Sequence, residues 1–117
     1  MSYGNKVDAN HADLRDNVFR KLAKSVIDCS QFGMGFADLL VLTMDGQLLM
    51  VEIKDGAKVK SKRRLTDLQK KVALEFGERF LVAPNYEVAE SICIYPHRRF
   101  KYTGVKYIEE TEIASAA

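Results

Sequence analysis

The chain has 117 residues, of which 47% are hydrophobic and 29% charged, with only two prolines. That balance fits one globular domain and excludes collagen, mucin-like stalks and bulk disorder. With 18 Lys+Arg against 16 Asp+Glu the net charge is +2, so only the distribution of charge can point to a partner.

Residues 1–7 read as a loose tail, and the polar stretch from Met1 to Leu14 has no apolar core of a signal peptide. From Asn10 to Lys24, Leu14, Val18 and Leu22 recur every fourth position with Phe19 and Ala23 beside them, one face of an amphipathic helix. Asp8 or Asn10 would cap it. Val26 to Cys29 reads as a short strand, Ser30 to Gly35 as a loop, and Phe36 to Thr43 as a strand buried on both faces. Met44-Asp45-Gly46 reads as a tight turn and Gln47 to Lys54 as the second strand of a hairpin. Residues 55–64 form a basic loop, and Thr66 with Gln69 matches a capping box opening a helix that runs to about Phe76 and stops at Gly77. Arg79 to Ala83 reads as a strand, Pro84-Asn85 as a turn, Tyr86 to Ser91 as a short helix, and Arg99 to Ile108 as an added hairpin around Thr103-Gly104. The expected fold is an α/β sandwich, a mixed β-sheet flanked by helices.

No apolar run reaches the roughly 18 residues of a spanning helix, so no membrane partner is expected. Cys29 and Cys93 form no CxxC pair and flank no histidine at zinc spacing, which fits two buried thiols in a reducing cytoplasm better than a disulfide. His11 and His97 are the only histidines and have no clustered spacing with the cysteines that would suit zinc; His11, near the helix start, would touch substrate or else be solvated, the favoured reading. There is no GxxxxGK loop, hence no nucleotide cofactor, and no Ser-His-acid set.

A hairpin symmetric about Asp45 sets Leu40 opposite Met50, Leu42 opposite Leu48, and Asp38 opposite Glu52. Paired residues have Cβ atoms about 4.5–5.5 Å apart. Two carboxylates so placed among apolar neighbours repel, so either one is protonated or a cation lies between them. A hard divalent cation would bridge them, and Lys54 shares their face. Such a set suits phosphoryl chemistry. A one-residue slip would separate the two acids, and both would also be tolerated if hydrated at the open end of the sheet.

Gly35-Phe36-Ala37-Asp38, the apolar hairpin and Glu52-Ile53-Lys54 together resemble the PD-(D/E)XK nuclease signature. With Asp8-Ala9-Asn10-His11, Val51 to Gly56 and Leu65 to Gln69, the pattern is similar to the small stand-alone VRR-NUC-like nucleases common in phages and prophages, some of which resemble Holliday-junction resolvases. The likeness covers about residues 6–92, which implies a nuclease core over 1–92 and leaves 93–117 as a C-terminal extension, part of the same domain or a dimer contact. It implies a restriction-endonuclease-like core and a Mg²⁺- or Mn²⁺-dependent deoxyribonuclease of the bacterial cytoplasm, serving DNA repair or recombination. Asp38 and Glu52 would bind metal, Lys54 would assist the attacking water, and the Ile53 carbonyl would be a further ligand. Asp13 stands at the place of a first-helix glutamate that often completes the site, with a shorter arm, or else serves the helix N-terminus. Gln69 matches a glutamine near the site, or else is only the cap residue. Ala37 replaces the signature proline, which contributes no ligand.

Lys58, Lys60, Lys62, Arg63 and Arg64 follow the E-x-K strand, with Lys70 and Lys71 beyond. Such a loop would lie on a phosphodiester backbone, or else be a solvated loop. The aromatic and basic stretch Tyr95 to Tyr102 suits stacking on unpaired bases, but packing on the core or a second subunit is the favoured reading. The expected function is metal-dependent DNA cleavage, with a Holliday junction or flap as the candidate branched substrate, by a homodimer when two strands are cut. The alternatives are a DNA-binding module that lost catalysis and a structural or interaction protein.

Overall fold

The computed structural model describes residues 9–33, 35–55 and 64–116. α1 (Ala9–Leu14) runs through a π-helical stretch (Arg15–Phe19) into α2 (Arg20–Leu22), close to the helix expected from the four-residue spacing. Asn10 does not cap it. Its amide donates instead to the carbonyl of Lys54 (2.9 Å), which ties the helix start to the end of the E-x-K strand. Asp8 lies outside the described residues.

β1 (Ser25–Asp28), β2 (Leu39–Leu42), β3 (Leu48–Ile53) and β4 (Phe80–Ala83) form one mixed sheet in that order. β1 and β2 pair antiparallel, as do β2 and β3, while β3 and β4 are parallel. The parallel pair needs a crossover, supplied by α3 (Asp67–Phe76). The hairpin register is the one symmetric about Asp45: Leu39 pairs with Val51, Leu40 with Met50 and Leu42 with Leu48. Its turn is closed by Gly46 N–H to Thr43 O (3.0 Å), with Gly46 at φ 84°, where glycine carries no Cβ penalty.

One face of the sheet, with Leu39, Val41, Leu49, Val51, Ile53 and Leu81, packs on Leu14, Val18 and Phe19 and on α4 (Tyr86–Ile94) through Ala89 and Ile92. The other face, with Met50, Phe80 and Val82, packs on Val72 and Ala73 of α3 and on Val105, Tyr107 and Ile108 of α6 (Gly104–Ala116). β2 is shorter than Phe36–Thr43 and is not buried on both faces. Leu39 and Val41 are buried but Leu40 and Leu42 only half-buried, because the second helical layer covers β3 and β4 rather than β2. No described helix is long and apolar enough to cross a membrane. Cys29 and Cys93 are both buried and unpaired.

The capping box and the stop at Gly77 (φ 58°) are present. α4 runs on to Ile94, and Asn85 is its N-cap, accepting from Val88 N–H (2.9 Å). The largest departure is the C-terminal hairpin, which does not exist. α5 (Pro96–Arg99) starts with proline in its first turn, where the missing N–H costs nothing. A 3₁₀ turn (Phe100–Tyr102) follows, and Thr103, bridged to Leu81, accepts from Lys106 N–H (3.3 Å) to open α6. Gly104 is thus a contact glycine rather than a turn glycine, since a Cβ there would run into Phe80 and Ala73. Gly104→Ala is expected to lower stability by about 1–3 kcal/mol, as overpacking does, despite alanine's better helix propensity. Urea unfolding measures it.

Candidate active site

Asp38 immediately precedes β2. Its N–H donates to Val51 O (3.1 Å) and its carbonyl accepts from Cys29 N–H (2.8 Å) and Ser30 N–H (3.2 Å). The backbone is therefore pinned to β3 on one side and to the end of β1 on the other. The side chain turns toward β3, where Oδ2 accepts from Ile53 N–H (2.8 Å).

Glu52 lies on the sheet face covered by α3. It is 5% exposed. Oε2 meets Lys54 Nζ at 3.1 Å, and Oε1 is buried with no hydrogen-bond partner. Burial, and then the charge of Asp38, push the Glu52 carboxyl well above the ordinary carboxylate range, with Lys54 opposing them. The conflict between the two acids is thus real, but their neighbours are not all apolar. Glu52 has Lys54, and Asp38 has the imidazole of His11. Lys54 is held at the strand end by its N–H to Ala83 O (3.2 Å).

Asp38 and Glu52 open onto a cleft of about 250 Å³ that is also lined by Ser30, Gly33, Gly35 and Gln69. Gln69 is the cap residue and also stands at the cleft. Its Oε1 accepts from Thr66 N–H (2.9 Å) as the cap demands, and the buried residue forms part of the cleft wall. Ile53 contributes its N–H to Asp38, while its side chain sits in the core of the opposite face.

Asp13 is engaged elsewhere. It accepts from Tyr86 Oη (2.5 Å) and Asn17 Nδ2 (2.6 Å), and these bonds, Tyr86 first, hold its carboxyl below the usual range. It does not line the cleft. Lys58, Lys60, Lys62 and Arg63 lie outside the described residues, and Arg64 is exposed. Lys70 pairs with Glu112 of α6 at 3.0 Å. In the stretch Tyr95 to Tyr102, Arg98 sits over the Tyr95 ring (4.9 Å), and Arg99 is buried against Asp45.

The residues that spacing did not reveal are His11 and Asp28. His11 is not solvated. It is 6% exposed, with Nδ1 3.6 Å from Asp38 Oδ1 and Nε2 3.5 Å from Asp28 Oδ2. Asp28 is buried; burial alone would raise its carboxyl, but Ser30 and Arg15 outweigh that and lower it. The sequence signal for His11 was its place in the Asp8-Ala9-Asn10-His11 stretch of the resemblance, beside the Asn10 that docks on Lys54.

The donor set fits a hard divalent cation. It consists of carboxylate oxygens, one of them buried without a partner, beside an open cleft. No three His, Cys, Asp or Glu side chains among the described residues form a ready-made ligand cluster, so a cation held here would draw its remaining oxygens from backbone, water or substrate. The chain matches no known family model, no curated protein and no solved structure.

Proposed function

We propose that this chain is a divalent-metal-dependent endonuclease acting on DNA, built on a restriction-endonuclease-like core. The observation that carries the reading is Glu52, an acid buried beside a second acid, Asp38, on the wall of an open cleft. A stability-driven fold would place an apolar residue there. The order of an antiparallel hairpin followed by a parallel strand across a helix supports the core assignment.

Asp38 and Glu52 would hold Mg²⁺ or Mn²⁺, with the Ile53 carbonyl as a further ligand. The ion would supply an acidified water and a counter-charge for the phosphoryl group. Asp38 is preorganised for its part, with its backbone fixed on both sides and one oxygen on the Ile53 N–H. Lys54, paired with Glu52 at present, would orient the attacking water or meet the charge that builds on the phosphate. Gln69 fixes the wall against which the backbone lies, and the segment 58–64 supplies phosphate contacts without sequence readout. A branched substrate and a homodimer that cuts two strands complete the proposal.

Labelled linear duplex, single strand, flap and four-way junction, incubated with Mg²⁺, Mn²⁺ or chelator, test it. Cleavage that needs metal is expected, with preference for a branched member. Binding without any cleavage would leave a non-catalytic DNA-binding module. Neither binding nor cleavage would remove the nuclease reading altogether.

A further inference from the structure

We propose that His11 and Asp28 are positioning residues that hold the Asp38 carboxylate in its ligating orientation, a role that rests on the nuclease reading above. Asp38 is hydrogen-bonded on one oxygen and faced by an imidazole on the other. The strand backbone fixes Oδ2 through Ile53 N–H (2.8 Å), and the imidazole of His11 faces Oδ1 at 3.6 Å. The far side of that imidazole faces Asp28 Oδ2 at 3.5 Å.

Asp28 is itself rigidly placed. It accepts from Arg15 Nη1 (2.7 Å), Ser30 N–H (3.0 Å) and Ser30 Oγ (2.5 Å). Arg15 is locked in turn by two hydrogen bonds to Asp16, from Nε at 2.8 Å and from Nη2 at 2.9 Å. Polar groups therefore line up from the π-helical stretch, through Asp28 and His11, to Asp38, hydrogen-bonded as far as Asp28 and continuing at 3.5 and 3.6 Å on either side of the imidazole. The same turn is joined to Asp38 a second time, through the backbone bonds of Cys29 and Ser30 to its carbonyl. A buried imidazole between two acids adds nothing to the core that an apolar side chain would not add. What it does is aim one carboxylate oxygen. Outer partners of ligating side chains typically account for about 10–100-fold in metal affinity.

Calorimetric titration of the full chain with Mn²⁺, alongside cleavage kinetics, tests this. His11→Ala should weaken Mn²⁺ binding about tenfold or more and raise the Mg²⁺ needed for half-maximal cleavage, with DNA affinity in chelator unchanged. His11→Asn, whose amide nitrogen stands near the place of Nδ1, should recover most of the loss. His11→Gln, which reaches toward Asp28 instead, should recover less. Asp28→Asn should weaken Mn²⁺ binding in the native background and have little further effect beside His11→Ala. Unchanged Mn²⁺ affinity in a folded His11→Ala variant would overturn the role, as would equal affinities of the Asn and Gln variants or additive effects of the two substitutions. A native chain that binds no Mn²⁺ would overturn the nuclease reading and this role together, an outcome distinct from the others.

Discussion

Glu52→Gln should abolish cleavage while leaving the metal-free protein at least as stable as the native chain near pH 8. The two effects share one cause. In the folded state burial and Asp38 push the Glu52 carboxyl from 4.5 up to about 8. An acid whose folded pKa is raised binds more protons folded than unfolded between those values, so native stability falls as pH rises through that window. The stabilising, protonated form is fully present below the unfolded pKa and lost as pH passes the folded one. Glutamine mimics the protonated form and does not titrate, so the variant's melting temperature should stay flat where the native one drops. A few kcal/mol are at stake, and ~1 kcal/mol moves the midpoint of a domain this size by roughly 4 °C. Mg²⁺ should reverse the native trend, because ligands bind as carboxylates and metal binding therefore strengthens with pH. Scanning calorimetry from pH 5 to pH 8, with and without Mg²⁺, reads all three curves. A native melting temperature that is flat in chelator would mean that Glu52 carries no strained charge, and the principal support for the metal site would be gone.

The hairpin register was legible because its turn chemistry is local and its flanking residues alternate consistently about Asp45. The capping box was legible for the same reason, since Thr66 and Gln69 are three residues apart. The candidate site was legible on that hairpin and at Gln69, whose capping box is itself local. Asp38, Glu52 and Lys54 fall within one supersecondary unit, whereas His11 and Asp28 reach Asp38 from α1 and the end of β1. No periodicity links those three segments. The lone histidine near a helix start reads as solvated until tertiary packing closes over it. The C-terminal hairpin failed for a related reason. Thr103-Gly104 has the composition of a turn, but the glycine is there because α6 crosses Phe80 closely, a constraint that arises only once the sheet and its second helical layer are assembled.

The same assembly makes Asp45 a far larger determinant of stability than a turn aspartate would be. Arg99 is 1% exposed, and its Nη2 donates to both carboxylate oxygens of Asp45, at 3.1 and 3.0 Å. Its Nε and Nη1 are buried without partners. Thr43 also donates to Asp45 from within the hairpin. Residues 96–99 are thereby fastened to the β2–β3 turn, at the opposite end of the hairpin from Glu52. Asp45→Ala would leave a buried guanidinium with no counter-charge. Breaking a buried pair from one side costs about 3–5 kcal/mol. The low end, about 3 kcal/mol, is expected here because the Asp45 side chain is 41% exposed and solvent screens part of the attraction. Arg99→Leu removes the cation itself and leaves Asp45 free to hydrate, so it should cost much less. Urea unfolding of the two variants and of the double variant measures the asymmetry. Asp45→Ala should be the worse single change, and adding Arg99→Leu to it should restore stability rather than lower it further. Equal losses in the two single variants would show that Arg99 contributes through its packing and that its charge is already accommodated without Asp45.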